Sequence, residues 1–225
     1  MKSGSSTVEL TGVTALYGGW SHSCALVNGR ARCWGANAYG QLGNNTKRYS
    51  TTAVFVVSPT GSEALTGIKS VAPGITHSCA VVGTGALCWG KNDLGQLGNG
   101  TYNSRLLPAK VIAQGGTPLS DVRAITTTAF STCAVAGTAR AAVCWGGDDY
   151  GILGNGSTAS GPTPTPVVGL SDVESLSGNN YFYSSHVCAR LANSRVSCWG
   201  DNRSGQLGNG SVNSSSVPTD VWSNW

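Results

Sequence analysis

Three histidines, eight cysteines and four glycine-rich loops are the residues of this 225-residue chain whose types and spacing could do chemistry. His22, His77 and His186 each stand two residues ahead of a cysteine, and Ser131 takes the same place ahead of Cys133. A histidine so placed could act as a general base or bind a metal, but neither a Ser/His/Asp set nor a carboxylate pair accompanies any of them. A position that accepts Ser in place of His is explained more simply as a hydrogen-bonding group bracing a loop against the next strand. The loops Gly40-Gln-Leu-Gly-Asn44, Gly95-Gln-Leu-Gly-Asn99, Gly151-Ile-Leu-Gly-Asn155 and Gly205-Gln-Leu-Gly-Asn209 could suggest a phosphate cradle. No helix follows them and no Lys-Ser/Thr pair is present, so they read as turns. Glycine supplies positive φ or close backbone approach, Leu fills the core, and Gln and Asn satisfy turn backbone groups.

The cysteines are in register. Asn28-Gly29 is a strong two-residue hairpin signal, and counting outward from it sets Val27 against Arg30, Leu26 against Ala31, Ala25 against Arg32 and Cys24 against Cys33. The same count around Gly83-Thr84 opposes Cys79 and Cys88, a three-residue turn at Ala192-Asn193-Ser194 opposes Cys188 and Cys198, and a longer loop from Gly137 to Arg140 opposes Cys133 and Cys144. Directly opposed residues of antiparallel strands lie within disulfide reach, which predicts four bridges inside hairpins. Each would close a short loop and stabilise by roughly 2.7 kcal/mol in the chain-entropy picture. The alternative is eight reduced cysteines packed as small hydrophobes in a cytosolic protein. Zinc fits less well, because the pairs lack Cys-x2-4-Cys spacing and no His joins them in a ligand pattern.

A third group of candidates lies where the copies disagree. The segment before the cysteine is Gly74-Ile-Thr-His77 in one copy and Gly178-Asn-Asn-Tyr-Phe-Tyr-Ser-Ser-His186 in another, five residues longer and carrying Asn180, Tyr181, Phe182 and Tyr183. The equivalent loops carry Trp20 and Phe130, and Tyr39 and Tyr150 stand just before a turn glycine. Rigid aromatics on loops over a stiff scaffold are a common way to build a binding surface, and packing between blades is the competing role for Trp20 and Phe130.

The elements that must position these residues come from repetition. Trp-Gly steps begin at Trp34, Trp89, Trp145 and Trp199, spacings of 55, 56 and 54 residues, the signature of a repeat architecture. Each copy holds a short strand (Val13 to Leu16, Ile68 to Val71, Val122 to Ile125, Val173 to Leu176), the cysteine hairpin, and an outer apolar run such as Thr52 to Val57 or Leu107 to Ile112. No sustained 3.6-residue apolar period occurs, so about four antiparallel strands per copy are expected and helices should be absent or short. Glycine at 32 residues and a charged fraction of 11% suit short strands and tight turns. The net charge of +4 is scattered, with no basic run to follow a line of phosphates, which argues against nucleic acid. No apolar run is long enough for membrane insertion as a helix. The acceptor triplets beginning at Asn44, Asn99, Asn155, Asn209 and Asn213 are formal glycosylation sites explained by their place in turns.

The string Gly-x-x-His-x-Cys-Ala-Leu followed by Cys-Trp-Gly-x-Asn-x-x-Gly-Gln-Leu-Gly-Asn-Gly-Thr resembles the regulator of chromosome condensation repeat family, from about Leu10 to Val221. The resemblance implies an all-β fold, a β-propeller of four such repeats with four-stranded antiparallel blades, and paired cysteines similar to those of extracytoplasmic members. Known propellers of this kind usually close with seven blades, so four copies leave open a closed monomer, an arc, a ring-sharing dimer or a fragment. A closed four-bladed monomer is the expectation, with the C-terminal strand completing the first blade. Residues 1–7 read as a leader or tag and 8–225 as a single repeat domain; no signal peptide stands in the chain, and the setting expected from the cysteines is secreted, periplasmic or cell surface. The resemblance also implies work through protein contacts, as in nucleotide exchange on a small nuclear GTPase or inhibition of secreted β-lactamases. The expected function is a non-enzymatic module presenting its loop face to a protein partner, with no cofactor and no metal. Carbohydrate binding through the loop aromatics and a structural role in a surface assembly are the alternatives.

Overall fold

In a computed structural model, which describes residues 8–182 and 184–223, sixteen strands form four separate four-stranded antiparallel sheets. The first blade contains β1 (Val13–Gly18), β2 (His22–Val27), β3 (Arg30–Gly35) and β4 (Ser50–Phe55); the second β5 (Ile68–Pro73), β6 (His77–Val82), β7 (Gly85–Gly90) and β8 (Arg105–Lys110). The third holds β9 (Ala124–Thr127), β10 (Ser131–Ala136), β11 (Ala141–Gly146) and β12 (Gly161–Pro166), and the fourth β13 (Val173–Gly178), β14 (His186–Leu191), β15 (Val196–Gly200) and β16 (Ser215–Asp220). Every blade is thus a meander of consecutive strands. The one helical element among the described residues is a 3-10 turn, Asp149–Gly151.

The hairpins fold as counted from their turns. Asn28 and Gly29 take φ of 50° and 69°, and β2 and β3 pair Cys24 with Cys33. Cys79 faces Cys88, Cys133 faces Cys144 and Cys188 faces Cys198, all four pairs disulfide-bonded with Cα atoms 4.1 Å apart. The ladder to the outer strand shifts register between Cys33 and Gly35, and again at the corresponding place in the other blades. The irregularity falls on the tryptophan and bends the strand there. Gly35 follows at φ 108°, where a Cβ would come within 2.6 Å of the Ser21 carbonyl oxygen, so only glycine fits.

Successive blades are held by one recurring joint. Trp89 Nε1 donates to the Gln41 carbonyl of the preceding blade (2.9 Å), Trp145 Nε1 to that of Gln96 (3.0 Å) and Trp199 Nε1 to that of Ile152 (2.8 Å). The three indoles are fully buried and lie so close to Gly43, Gly98 and Gly154 that a Cβ there would be 2.6 to 2.8 Å from Nε1. Around each joint the cystine of one blade meets the first strand of the next, as Cys24, Leu26, Ala31 and Leu42 meet Ile68, Val71, Ala80 and Trp89. Two of the three histidines are braces: His22 Nε2 lies 2.7 Å from Ser78 Oγ and His77 Nε2 3.0 Å from Thr132 Oγ1, each on the next blade.

A second recurring device had no reading from sequence. Asn37, buried in the loop after the Trp-Gly step, accepts from Leu42 N (2.9 Å) and donates through Nδ2 to the carbonyls of Thr46 (3.0 Å) and Arg48 (2.9 Å). Asn92 and Asn202 tie their loops in the same way. The third blade has Asp148 there: one oxygen accepts from Leu153 N (3.0 Å), while the buried Oδ2 has no donor.

Two expectations about the ends are corrected. β16 pairs with β15 and completes the fourth blade rather than the first, because each copy supplies its own outer strand after its own glycine-rich loop. The first and fourth sheets do not pack into a closed four-bladed ring. Val13 is 43% exposed, whereas its counterparts Ile68, Val122 and Val173, each covered by a preceding blade, are exposed by at most 4%. The rotation from blade to blade is set by the tryptophan joint, and three such steps leave the end faces apart.

Two predictions follow from the buried polar groups. Burial lowers His22 to about 4 and His77 to about 3, the charge of His22 adding to the latter. Both bind their proton far more readily when unfolded, so stability is full above pH 6.5 and falls as the pH drops toward those folded values. His77→Gln, whose amide can still partner Thr132, should flatten that decline in acid unfolding followed by circular dichroism. Burial also raises the Asp148 carboxyl, so its contribution is lost as pH rises through the folded value. Asp148→Asn restores the two donors of the other blades and is expected to raise stability at pH 7 by about 1–2 kcal/mol, read from denaturant midpoints.

Candidate functional site

The loops that precede the second strand of each blade gather at one end of the structure, and the long one, from Gly178 to His186, folds over the others. It is an arch tied at its base: Asn179 Nδ2 donates to the Ser184 carbonyl (2.8 Å) and Asn179 Oδ1 accepts from His186 N (3.1 Å). Asn180 Nδ2 reaches the Pro73 carbonyl at the end of β5 (3.0 Å), and its Oδ1 lies 3.5 Å from Thr127 Oγ1 of β9. A fourth-blade loop is therefore anchored on the second and third blades. Gln206 Nε2 supports the far limb by donating to Ser184 Oγ (2.8 Å).

Of the aromatics expected to gather, four meet in two pairs. Tyr181 lies beside Trp20 of the first blade, ring centroids 6.2 Å apart, and Phe182 stands edge-on to Phe130 of the third at 5.0 Å. Such tilted and edge arrangements are favoured by the ring quadrupoles. Trp20, Tyr181 and Phe182 remain about half exposed, so packing has not consumed their faces. Tyr150 joins the group: with Phe130, Phe182 and Asp149 it lines a cleft of about 350 Å³. Tyr39 stays apart, under the Lys91 ammonium at the junction of the first two blades (5.3 Å). Tyr183 lies outside the described residues.

One charged residue lines the cleft and two more stand behind Tyr150, and all three had escaped notice in the sequence. Asp149 is a lining residue, and Arg203 lies 4.4 Å from the centre of the Tyr150 ring while pairing with the buried Asp201 (2.9 Å). Burial pushes the Asp201 carboxyl up, but hydrogen bonds from Arg203 and Ser184 outweigh it and hold the group at about 2. Asp149 and Arg203 share a repeat position with Ala38 and Asp93, a change of charge between copies that was visible as a signal. Among the described residues no three His, Cys, Asp or Glu side chains are grouped to hold a metal ion, and no helix is long and apolar enough to cross a membrane. What the surface can do chemically is stack on, enclose and hydrogen-bond another molecule.

Consecutive four-stranded blades joined face to face, with aromatic loops collected at one end, define a repeat β-propeller. The chain belongs to the regulator of chromosome condensation (RCC1) repeat family, whose models match residues 28–81 and 85–135 and, in a second form, 13–41 and 181–206. Among curated proteins it is 30% identical over 155 residues to the ultraviolet-B receptor UVR8 of Arabidopsis thaliana, covering 67% of this chain and 33% of that one. It is 32% identical over 214 residues to the probable E3 ubiquitin-protein ligase HERC4 of Homo sapiens, covering 92% of this chain and 19% of that one. The chain thus spans a third or less of these relatives. Its fold is similar to human WBSCR16 (TM-score 0.78, 22% identity, 96% of this chain and 54% of that one). Prp20p of Saccharomyces cerevisiae is similar in fold too (TM-score 0.76, 18% identity, 97% and 52%).

Asn179 makes both hydrogen bonds at the base of the arch. Asn179→Ala removes the acceptor for His186 N and the donor to Ser184, and should speed hydrogen exchange at the His186 amide by at least tenfold while leaving the β14 ladder protected. Mass spectrometry of peptides across 178–190 reads both.

Proposed function

We propose that this propeller is a non-enzymatic binding module that takes a protein partner on the arch face, with Trp20, Phe130, Tyr150, Asn180, Tyr181 and Phe182 as contact residues. The observation that carries the reading is the arch: an insertion in one blade, anchored on two others through Asn180, presents half-exposed aromatics instead of burying them. Ordering such a surface in advance lowers the entropy cost of binding, and exposed aromatics beside a cleft are what anchor residues of interfaces look like. The Phe130–Phe182 cleft, with Asp149 at its wall and Arg203 behind Tyr150, suits an inserted side chain that is apolar along its length and polar at its tip. Similar proteins supply precedent for protein contacts: a structure similar in fold holds yeast Prp20 bound to Kap60, and Prp20p is described with binding properties toward Gsp1p and histones. Tyr39 is a weaker contact at the margin. Four bridged cysteine pairs support an oxidising, extracytoplasmic setting for the encounter.

Photo-crosslinking from position 181 in the protein's native surroundings, followed by mass spectrometry, identifies the partner. Tyr181→Ala combined with Phe182→Ala is then expected to weaken its binding at least a hundredfold with the thermal midpoint almost unchanged. Binding that survives the double substitution refutes the assignment, and signal confined to a glycan array would replace the protein partner with a carbohydrate.

A further inference from the structure

Twice in this chain a cation is held between a carboxylate and a tyrosine ring where two blades meet. Lys91 Nζ pairs with Asp93 (2.9 Å) and lies 5.3 Å from the centre of the Tyr39 ring, across the junction of the first and second blades. At the junction of the third and fourth blades, Arg203 pairs with the buried Asp201 through Nε (2.9 Å) and Nη2 (3.2 Å) and lies 4.4 Å from the centre of the Tyr150 ring. The repeat positions are the same with the charges exchanged: Lys91 corresponds to Asp201, Asp93 to Arg203 and Tyr39 to Tyr150. The negative face of an aromatic ring attracts a cation, and a carboxylate beside the ring adds a Coulomb partner.

The junction between these two, where the second and third blades meet, has the carboxylate without the cation. Asp149 stands at the position of Asp93, while the position of Lys91 is Gly147. A Cβ at Gly147 would lie 3.1 Å from both Phe130 Cβ and Leu94 Cδ1, so neighbouring side chains crowd the place from which a lysine would reach out. Asp149 is exposed and forms no ion pair among the described residues. Its charge is felt by the adjacent Asp148, whose carboxyl is raised first by burial and then by Asp149.

Aromatic rings are gathered beside this carboxylate as at the other two junctions. Phe130, Tyr150 and Phe182 line the cleft of about 350 Å³ together with Asp149. Phe182, brought by the arch, stands edge-on to Phe130 (5.0 Å), and Tyr150 carries Arg203 against its ring. Arg203 is engaged by Asp201, so the charge of Asp149 has no internal answer. A side chain with an apolar stem and a cationic tip fits such a cleft, the methylenes lying along the rings and the charge reaching the carboxylate. An anion would be repelled by Asp149, and a wholly apolar side chain would desolvate the carboxylate with nothing to pair it.

We propose that this cleft receives a cationic side chain, lysine or arginine, of the protein bound on the arch face. The inference rests on the reading of that face as a protein-binding surface and names the chemistry at its centre. The occupant is identified by charge complementarity and by the two internal examples, in which the same repeat positions hold a lysine and an arginine against a carboxylate and a tyrosine. Asp149 pairs with the incoming charge, Phe130, Tyr150 and Phe182 wall its stem, and Arg203 holds the Tyr150 ring from behind.

Nuclear magnetic resonance titration of the isotopically labelled chain with the Nα-acetyl methylamides of lysine, arginine and norleucine tests the cleft directly. Each probe is taken to ~50 mM at constant ionic strength, a range set for millimolar affinity. The lysine or arginine probe should shift the amide resonances of Gly147, Asp149 and Phe182 and bind at least fivefold more tightly than norleucine, which has the stem of lysine without its charge. Asp149→Asn, a change at an exposed residue, should reduce the cation to the norleucine level and leave the rest of the spectrum in place. Equal affinity for all three probes, no shift with either cation, or a cation affinity unchanged in Asp149→Asn would each overturn the proposal. The partner found by crosslinking separates this inference from the reading beneath it. A partner that loses at least tenfold in affinity to Asp149→Asn supports both. A partner lost to the Tyr181 and Phe182 substitutions but indifferent to Asp149→Asn refutes the cation alone, and cation binding with no partner crosslinked refutes the protein reading and keeps the cleft as an organic-cation site.

Discussion

Everything in this structure depends on an indole N–H reaching a backbone carbonyl of the preceding blade. A blade of four short strands has two faces and too little apolar area to stand alone, so it draws stability from each face that a neighbouring blade covers. The Trp89, Trp145 and Trp199 joints do this covering, and they also set the angle between sheets, because an indole pressed on a glycine backbone leaves little room for the blade to rotate. The disulfides hold each hairpin flat behind the joint, and the cystines are themselves part of the apolar filling.

Polar groups do much of the specifying inside this fold. The buried histidines span neighbouring blades, and the buried Asn37 and Asn92 tie glycine-rich loops whose carbonyls receive a tryptophan. A satisfied buried amide is strict about geometry, since each lost partner costs more than an ordinary hydrogen bond contributes. Asp148 shows the rule by its exception: the loop keeps the same form, but a carboxylate cannot make the donations that an amide makes. The repeat is therefore tolerant on its surface and intolerant in its loops.

The proposed contact surface falls where the repeat is broken. A five-residue insertion in the fourth copy produces the arch, and its aromatic rings find partners on the first and third blades while remaining half exposed. Stiff blades give such an insertion a fixed platform, which separates the demands of folding from those of recognition.

The sequence by itself determined the local structure. Periodicity, the Asn28-Gly29 turn and the opposed cysteines specified the hairpins and their register, and the four loops declared themselves as turns, because these features depend on residues close in the chain. The outer strands were read about two residues late, since Val56 and its counterparts are apolar for the core and lie beyond the ladder. Only the tertiary structure decided what the repeats do to one another. Whether four blades close, that the C-terminal strand stays in its own blade, that Asn180 anchors on Pro73 and that Arg203 lies over Tyr150 all depend on rotations between blades. Those rotations arise from indole, glycine and carbonyl contacts between residues nearly fifty positions apart, which no local pattern encodes.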